Sequence, residues 1–396
     1  MEKYQRIIKD LVLIGGGHSH AVVLKKFARY PLPEVRLTLI SPELDTPYSG
    51  MLPGHIAGFY KHEECHINLL KLANFAKANF YIDSAVGLDL KNQQVICANH
   101  PAIKFDVLSL DIGSTPTTIS VSGATEYAIT AKPVPKLLQH WDMLVEKVAK
   151  NPEKPISLAI VGGGAGGVEL ALSMQTHLQR ILQQNQQPIQ NLQVHLFQRQ
   201  QQLLPNYHKS VQNQFQQILI NRGINLYLGE SVCELIPQET KARFAVKSES
   251  GLLVECDKIF WVTQASAAEW LKNTGLATDE AGFILVNDTL QSQNYPEVFA
   301  AGDIATMVNY PRPKAGVFAV RQGQPLFENL QRFLLGQPLK PYKPQRQYLS
   351  LIGTGDKRAI ASKGIFTSSP HGLFWWWKDL IDRRFMQQFR FDNQEE

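Results

Sequence analysis

Cysteine is scarce in this sequence, and its cysteines lie far apart. None of the four stands in a C-x-x-C or C-x-x-x-x-C pair: Cys65, Cys97, Cys233 and Cys256. This spacing excludes the paired thiols of a disulfide reductase and the cysteine ligands of a zinc site, so we expect no metal. Cys65 follows Glu63 and Glu64, whose negative charges should raise the pKa of its thiol and make it less reactive.

Long apolar runs and a strong charge of either sign are missing as well. No segment of the 396 residues approaches the roughly 18 apolar residues of a membrane-spanning helix. The first residues contain no apolar signal segment. A formal charge of +5 is too small and too scattered to indicate a nucleic-acid partner. We therefore expect a cytoplasmic protein, either free or peripheral on the cytoplasmic face of a membrane.

Two glycine-rich segments dominate what is present. Residues 15–20 read GGGHSH and residues 162–167 read GGGAGG, and each directly follows a short apolar run and precedes a helix-like stretch. A strand, a glycine turn and a helix together place backbone N–H groups on a pyrophosphate. Two such units predict an α/β protein with two Rossmann-like domains, one for FAD and one for NAD(P)H as a substrate.

The first glycine segment departs from the usual fingerprint. Gly15 and Gly17 occupy the first two glycine positions, but His20 replaces the third, which normally lets helix and strand approach closely. We expect His20 to reduce that closeness or to turn outward. His18 lies within the phosphate turn, and either it lines the loop or its imidazole touches the pyrophosphate or the flavin. The second strand ends at Ser41 without an acid, so Ser41 or Glu43 would have to bind the adenosine ribose.

The second glycine segment is complete, with Gly162, Gly164 and Gly167. The neighbouring strand ends in Gln198 and Arg199, where an NAD-specific domain carries a carboxylate. Arg199 could pair with a 2′-phosphate, so we predict a preference for NADPH over NADH.

A third motif reads VFAAGD at 298–303. An aspartate directly after a strand suits a carboxylate that accepts the ribityl hydroxyls of FAD, and Gly302 before Asp303 allows close approach. The segment DIGSTP at 111–116, with Gly113, accompanies this motif. The loop 41–60, which contains Pro53, is long enough to reach over a cofactor.

Together these motifs resemble the two-dinucleotide-domain flavoproteins of the pyridine nucleotide–disulfide oxidoreductase superfamily. Four segments carry a more specific similarity: LTLISP at 37–42, TPYSGMLPGHIAGFY at 46–60, ECHI at 64–67 and WWWKDLIDRRFM at 375–386. They resemble the type II NADH:quinone oxidoreductases and, more closely, the flavoprotein module fused ahead of selenide, water dikinase.

The resemblance implies an FAD domain in two pieces, 1–134 and 269–336, an inserted NAD(P)H domain at 135–268 and a C-terminal region at 337–396. It places Gly15, Gly17 and Asp303 on FAD, and Gly162, Gly164 and Glu169 near the nicotinamide nucleotide. It also places Lys132 close to the flavin, where a Lys132–Glu169 ion pair would orient the nicotinamide and steer protons.

The resemblance also assigns an electron-acceptor site. The segment 314–323 would close over the flavin, with Phe318 and Gln322 facing a quinone ring; plain helix packing is the alternative. Gln264 would narrow the nicotinamide pocket. Sulfide oxidation is disfavoured, because no cysteine follows Cys256.

The tail at 370–391 is predicted to be a helix with an aromatic stripe. One face would carry Phe374, Trp377, Ile381, Phe385 and Phe389. The other would carry most of the charged residues, Lys378, Asp379, Asp382, Arg383 and Arg390. Such a stripe suits a membrane interface, and it suits a core helix or a homodimer contact nearly as well.

These observations predict an FAD-dependent NAD(P)H oxidoreductase that passes two electrons to an acceptor, most simply a quinone. The alternative is an FAD-binding partner or redox-sensing module of slow turnover, linked to selenium metabolism.

Overall fold

A computed structural model describes residues 9–116, 121–238, 243–263 and 265–390. The prediction for Gln264 therefore falls outside the described residues. The remaining site residues named above all lie within them.

The chain alternates between strands and helices. The α-helices are α1 (His18–Arg29), α2 (Leu52–Ile56), α3 (His62–Cys65), α4 (Leu69–Phe75), α5 (Ala124–Tyr127), α6 (Val134–Lys150), α7 (Ala165–Gln184), α8 (Lys209–Asn221), α9 (Gly316–Leu334) and α10 (Gly372–Gln387). The strands are β1 (Lys9–Ile14), β2 (Val35–Ser41), β3 (Asp45–Pro47), β4 (His66–Asn68), β5 (Asn79–Ile82), β6 (Ala85–Asp89), β7 (Gln94–Cys97), β8 (Ile103–Lys104), β9 (Val107–Leu110), β10 (Thr115–Pro116), β11 (Ile129–Thr130), β12 (Ile156–Val161), β13 (Leu192–Gln198), β14 (Asn225–Leu228), β15 (Val232–Gln238), β16 (Arg243–Ser248), β17 (Leu253–Cys256), β18 (Lys258–Trp261), β19 (Ala265–Ser266), β20 (Ile284–Val286), β21 (Val298–Ala300), β22 (Ala305–Met307), β23 (Ser350–Gly353), β24 (Ala359–Lys363) and β25 (Phe366–Thr367).

The first parallel sheet joins two distant parts of the chain. Its strand order is β21-β9-β1-β2-β5, so β21 adds to strands formed by the first 110 residues. The central strand β1 has four buried apolar residues in succession, as expected of a strand covered on both faces. Helices α1 and α9 pack together closely, since a Cβ on Gly323 would lie 2.6 Å from Val22. This arrangement confirms an α/β fold whose first nucleotide-binding unit is discontinuous.

The second parallel sheet lies between the two parts of the first in the sequence. Its strand order is β11-β18-β12-β13-β14. Strand β12 is buried along its whole length, and its core includes residues of α6, α7 and α8. The α/β architecture with two Rossmann-like units is therefore confirmed, while the exact boundaries at 134, 268 and 336 stay predictions.

Two local predictions need correction. The loop at 41–60 contains the short strand β3 and the helix α2. The glutamine-rich composition of 183–217 predicts a solvated helix and a loop, but Gln198 and Gln212 are buried, and their side-chain amides hydrogen-bond to backbone groups. Burial of glutamine is acceptable there because each amide has a partner.

The two predicted faces of the tail helix α10 are only partly observed, because Phe389 of the aromatic stripe is buried but two of the charged residues are buried as well. Lys378 and Asp382 are buried, at 9% and 5% exposure, whereas Trp377 and Ile381 point outward. The two buried charges tolerate this position because they form an ion pair at 2.6 Å, and the Lys378 ammonium also donates to the carbonyl of Gly50. Helix α10 therefore directs a charged pair inward and an apolar surface outward. Within the described ranges, no helix has both the length and the hydropathy to cross a bilayer.

Candidate functional site

The first glycine turn is packed directly against the end of strand β9. Gly15 has a φ of +90°, and a Cβ there would lie 2.5 Å from the carbonyl oxygen of Asp111. A Cβ on Gly17, which precedes α1, would lie 2.3 Å from the Asp111 carboxyl carbon. Both positions therefore need glycine, because any side chain would push the turn off Asp111.

His20 turns inward, so the expectation that it turns outward or loosens the packing is wrong. Its Nδ1 lies 2.7 Å from the Gly15 carbonyl oxygen and its Nε2 lies 2.8 Å from Ser109 Oγ. Burial lowers the pKa of His20 to about 4, so the ring is neutral. His20 is thus a hydrogen-bonded core residue beneath the turn.

His18 sits between the first glycine turn, the loop after β3 and helix α10. The backbone N–H of Ser49 donates to His18 Nε2 at 3.4 Å, and the ring lies edge-on to Tyr48 at a centroid distance of 5.4 Å. Phe385 of α10 lies 6.3 Å away. Burial lowers the pKa of His18 to about 4, so it brings no positive charge to a phosphate at neutral pH.

Asp111 is a buried acid that the sequence analysis did not single out. Its carboxylate accepts the backbone N–H of His20 at 3.0 Å, and a Cβ on Gly302 would lie 2.3 Å from Asp111 Oδ1. Burial raises the pKa of Asp111 to about 7. Its position directly after a central parallel strand is the signal that could have identified it.

Asp303 is bonded to Lys132, and this corrects the predicted Lys132–Glu169 pair. Lys132 Nζ donates to Asp303 Oδ2 at 2.7 Å and to Ser114 Oγ at 3.0 Å. Burial alone would raise the pKa of Asp303, but the Lys132 charge and the hydrogen bonds from Lys132 and Ser114 lower it. Because β11 ends at Thr130 in the second sheet and β21 ends at Ala300 in the first, the Lys132–Asp303 contact brings the carboxyl ends of the two sheets together.

Glu169 belongs to a different cluster, at the C-terminal part of the chain. Its Oε1 accepts the backbone N–H of Gly353 at 2.7 Å. Burial raises the pKa of Glu169 to about 6, although the nearby Lys378 ammonium partly offsets this. We call Glu169, Lys378 and Asp382 the buried charge cluster. Lys378 and Asp382 were missed because the sequence pattern only placed them opposite the aromatic stripe of α10 and gave no sign that they meet Glu169.

The second glycine turn has the geometry of an intact fingerprint. A Cβ on Gly167 would lie 1.8 Å from the Gly162 carbonyl oxygen, and Gly162 itself has a φ of +122°. Gly164 precedes α7, and a Cβ there would meet no atom within 4 Å. The backbone N–H of Gly163 donates to Gln198 Oε1 at 3.1 Å, so the residue that ends β13 is tied to the turn. Arg199, next to it, is exposed.

The predicted acceptor residues lie beside Asp303. Phe318 and Gln322 of α9 are buried and line a cavity together with Gly302, Asp303 and Lys314. Gln322 Oε1 accepts the Gly302 N–H at 2.7 Å, so Gln322 also holds the loop that carries Asp303.

Three further predicted positions are placed as follows. Ser41 ends β2 and is buried, with the N–H of Glu43 3.4 Å from its Oγ. Gly113 follows β9 with a φ of +72° and open space around its Cβ position. Pro53 lies in the first turn of α2.

The cysteines are all free, and Cys65 behaves as predicted. Burial, followed by the charge of Glu64, raises the pKa of the Cys65 thiol to about 12. The direction was predicted from the acids alone, whereas burial contributes more.

The glycine turns fit the nucleotides predicted from the sequence. Open space at Gly113 and Gly164 lies at the carboxyl ends of β9 and β12, where nucleotides bind in parallel α/β sheets. Among the described residues, no side-chain hydrogen bond caps the N-terminus of α7, which suits a pyrophosphate there. At the N-terminus of α1, the Asp111 carboxyl already accepts the backbone N–H of His20. An ionised Asp111 would repel a bound pyrophosphate, so an anion is held better there when Asp111 is protonated.

Comparisons with known proteins agree with this fold. The model of the pyridine nucleotide-disulphide oxidoreductase family matches residues 9–323. Ferroptosis suppressor protein 1 of Xenopus tropicalis is 24% identical over 345 residues, which cover 84% of this chain and 83% of that protein. Demethylphylloquinone reductase NdbB of Synechocystis sp. is 24% identical over 320 residues, which cover 77% of this chain and 72% of that protein.

A solved structure shows the same fold at low identity. NDH2 from Plasmodium falciparum in complex with NADH aligns with a TM-score of 0.78 at 15% identity, covering 96% of this chain and 97% of that one. The cofactors predicted from the two glycine turns, FAD and NAD(P)H, are those typical of the matched family, and its members are oxidoreductases. The family match spans both glycine turns and the Asp303 motif, and the chain belongs to the pyridine nucleotide-disulphide oxidoreductase family.

Proposed function

We propose that this protein oxidises NAD(P)H and passes the electrons through FAD to a quinone. The Lys132–Asp303 contact is the observation that carries the proposal, because it joins the carboxyl ends of the two sheets, where both nucleotides would bind. Bound FAD supplies the two-electron chemistry, accepting a hydride from NAD(P)H and returning two electrons to the acceptor. In this proposal Gly15, Gly17, Ser41, Pro53, Gly113 and Asp303 surround FAD, and Gly162, Gly164, Gly167 and Arg199 hold NAD(P)H.

A quinone is the acceptor class that the surroundings favour. Phe318 contributes an aromatic wall to the cavity beside Asp303, and Tyr348 packs edge-on against it at 5.2 Å. The similarity to a protein named demethylphylloquinone reductase supports the same acceptor class.

We propose that the buried charge cluster supplies a proton to that acceptor, because Tyr207 interacts with both Glu169 and Tyr348, the residue that packs against Phe318. Reduction of a quinone to a quinol takes two electrons and two protons, of which NAD(P)H delivers both electrons and one proton as hydride. Glu169 is buried, and burial raises its pKa to about 6, close to the range in which an acid donates protons efficiently. Lys378 lies on the same cluster and compensates the charge that Glu169 acquires when it loses the proton.

Substitution of Glu169 by glutamine should slow quinone reduction and change its pH profile. In the unmodified protein the rate should fall above about pH 6, since Glu169 must be protonated to donate. In E169Q the rate should be lower by about 100-fold or more and should lack this descending limb. Steady-state kcat for a soluble quinone between pH 5 and pH 8 measures both effects.

The effect of E169Q on the free energy of unfolding shows whether Glu169 acts as a proton donor or only stabilises the fold. The pKa of Glu169 is higher in the folded state than its ordinary value of 4.5, so its stabilising contribution is present below pH 4.5 and lost as the pH rises through 6. At pH 8 the E169Q protein should therefore unfold no more easily than the parent. Glu230→Gln, which changes a glutamate bonded to Ser248 and Ser250, is the control and should retain activity. An unaltered pH profile in E169Q would contradict the assignment.

Anaerobic reduction of the flavin tests the overall function. NADPH or NADH should bleach the flavin absorbance of the purified protein, and a soluble quinone should restore it. The rival function, a slow FAD-binding partner in selenium metabolism, predicts no bleaching within minutes. The unusual His20 in the first glycine segment would also suit that rival, but it is a hydrogen-bonded core residue, so the oxidoreductase is preferred.

We further propose that NADPH is the preferred donor. Gln198 is engaged with the glycine turn, so the exposed Arg199 is the side chain free to meet a 2′-phosphate. Arg199→Ala should lower kcat/KM for NADPH by about 10-fold, since a charge-assisted hydrogen bond contributes roughly 1.5–3 kcal/mol. The same substitution should leave kcat/KM for NADH nearly unchanged. Initial rates with both donors decide the matter, and a clear preference of the parent protein for NADH would overturn it.

The outward face of α10 is proposed to contact an anionic membrane surface. Its apolar side chains continue onto the turn between β24 and β25, where Ile365 is 89% exposed. The exposed members of this apolar patch are Ile365, Phe366, Leu373, Trp376, Trp377, Leu380 and Ile381. Lys363 and Arg384 are exposed beside it, which suits an interface rather than a second apolar surface.

A double substitution of Trp376 and Trp377 by serine should abolish flotation with anionic liposomes. Tryptophan is the side chain best suited to the headgroup region, so its loss removes most of the interfacial anchoring. Met143→Ser, at a residue 62% exposed on α6, is the control and should float like the parent. A parent protein that fails to float, and that elutes as a dimer dependent on Trp376 and Trp377, would indicate a homodimer contact instead.

A further inference from the structure

A histidine-rich site lies on the excursion between β3 and α4. It is formed by Asp45, His62 and His66, and we call it the histidine cluster. One ligand atom from each residue lies within 4.8 Å of the others. His62 Nε2 is 3.5 Å from Asp45 Oδ2, and the rings of His62 and His66 stack at a centroid distance of 3.7 Å.

The local fold creates this arrangement. His62 begins α3, and His66 follows four residues later at the start of β4, so one helical turn brings both rings to the same side. Strand β4 pairs antiparallel with β3, which begins at Asp45. The pairing of β3 with β4 therefore brings the Asp45 carboxylate close to the two histidines. Two histidines four positions apart on a helical turn are a recurrent metal-binding spacing.

The hydrogen bonds around the cluster leave imidazole nitrogens available for coordination. The Nδ1 of His66 lies 2.9 Å from the His62 carbonyl oxygen, which can only accept, so Nδ1 carries the proton and Nε2 keeps its lone pair. His55 is held in the same way, with Nδ1 2.8 Å from the Tyr60 carbonyl oxygen. Its ring lies 6.0 Å from that of His66. A backbone carbonyl on the far nitrogen is the outer partner that metal-binding histidines usually have.

We propose that the histidine cluster binds one divalent transition-metal ion of the zinc type, with Asp45, His62 and His66 as ligands. Two imidazoles and a carboxylate suit Zn²⁺, whereas Ca²⁺ and Mg²⁺ take oxygen ligands. A fourth ligand would complete the tetrahedral coordination of the ion. The neighbouring imidazole of His55 can approach this position, and a water molecule fills it otherwise. The sequence expectation of a metal-free protein rested on cysteine spacing, which does not test histidine and carboxylate ligands.

The ion would have a structural role at the base of α10. The same excursion is fastened to α10 by a hydrogen bond from Tyr60 to Asp379 and by an ion pair of Glu64 with Arg383, both at 2.7 Å. An ion that crosslinks β3, α3 and β4 would fix both attachments. Lys378 and Asp382, the members of the buried charge cluster on α10, would then be held in place without any contact between the metal and the reacting atoms.

The test is metal binding by the full-length, FAD-loaded protein after treatment with a chelator. Isothermal titration with Zn²⁺ should show one saturable site per chain, and Co²⁺ should give the visible absorption of a four-coordinate site with nitrogen and oxygen ligands. Zn²⁺ should also raise the thermal midpoint. His62→Gln should weaken Zn²⁺ binding by at least about 10-fold, judged by the losses seen when even outer partners are removed.

The controls keep the proposal falsifiable. His62 is 55% exposed, so H62Q should fold and retain flavin, and the buried His66→Gln provides a second ligand variant. His100→Gln changes a histidine paired with Asp83 at 2.8 Å elsewhere and should bind Zn²⁺ like the parent. Absence of saturable binding, or equal affinity in H62Q and the parent, would overturn the metal site. These readouts do not depend on the electron acceptor, so they stand or fall separately from the proposed function.

Discussion

Replacing Gly167 by alanine should abolish reduction of the flavin by NAD(P)H while the protein retains its FAD. The added Cβ would lie 1.8 Å from the carbonyl oxygen of Gly162, and backbone on both sides cannot give way as a flexible side chain could. Either α7 moves away from β12 or the glycine turn opens, and overpacking of this kind costs about 1–3 kcal/mol. We expect kcat/KM for NAD(P)H to fall by at least about 100-fold, since the turn is what positions the pyrophosphate.

Two neighbouring glycines serve as matched controls. Gly166→Ala places its Cβ 3.5 Å from Val262, an ordinary contact, and should keep the rate within a few-fold. Gly164→Ala meets no protein atom within 4 Å, so it should preserve the thermal midpoint and raise KM for NAD(P)H only. Rapid-mixing measurements of flavin bleaching distinguish the three variants. Near-normal bleaching in G167A would mean that the second glycine turn does not hold the electron donor.

Asp303→Asn should yield a protein that is purified with little flavin. Asparagine keeps the size of the side chain and one acceptor oxygen, but it removes the charge that pairs with Lys132 at 2.7 Å. It also weakens the acceptor that is expected to hold the ribityl hydroxyls. Hydrogen bonds to charged groups contribute roughly 1.5–3 kcal/mol, so FAD affinity should fall by about 10- to 100-fold.

The ratio of flavin to protein absorbance and titration of the flavin-free protein with FAD measure this effect. Asp356→Asn is the matched control, because Asp356 also pairs with cations, Arg222 at 2.7 Å and Arg358 at 2.5 Å, but lies near the C-terminal sheet. It should keep a full complement of flavin. Equal FAD affinity in D303N and the parent would remove Asp303 from the cofactor site.

Much of the nucleotide-binding framework could be predicted from the sequence. Each glycine turn follows an apolar run that forms a buried parallel strand, and both turns adopt the predicted strand-turn-helix geometry. These features are local: a few consecutive residues determine them, and the glycine requirement is visible in the letters themselves. The same holds for Asp303, which stands in the turn three residues after the end of β21, as its motif indicated.

The partners of the site residues could not be predicted in the same way. Lys132 was assigned to Glu169, but it bonds Asp303, 171 positions away, because strands β11 and β21 end at facing edges of two different sheets. His20 was expected to turn outward, yet the buried Ser109 hydroxyl on β9 donates a hydrogen bond to its Nε2, while its Nδ1 donates to the Gly15 carbonyl oxygen. Long-range packing decides which strands are neighbours in a sheet. A short segment of sequence contains no information about these neighbours.

Helix α10 shows the same division most clearly. Its sequence determined that a helix forms and that it is rich in aromatic residues, since helical propensity and composition are local. Only the tertiary structure decided which face is buried, because Gly50, Tyr60 and Glu64 provide partners that make it favourable to bury Lys378 and to hold Asp379 and Arg383 against the protein. The hydrophobic pattern of a helix alone predicts that its charged side chains are exposed to solvent. A charged side chain can be buried when distant parts of the chain supply its hydrogen bonds and its counter-ion.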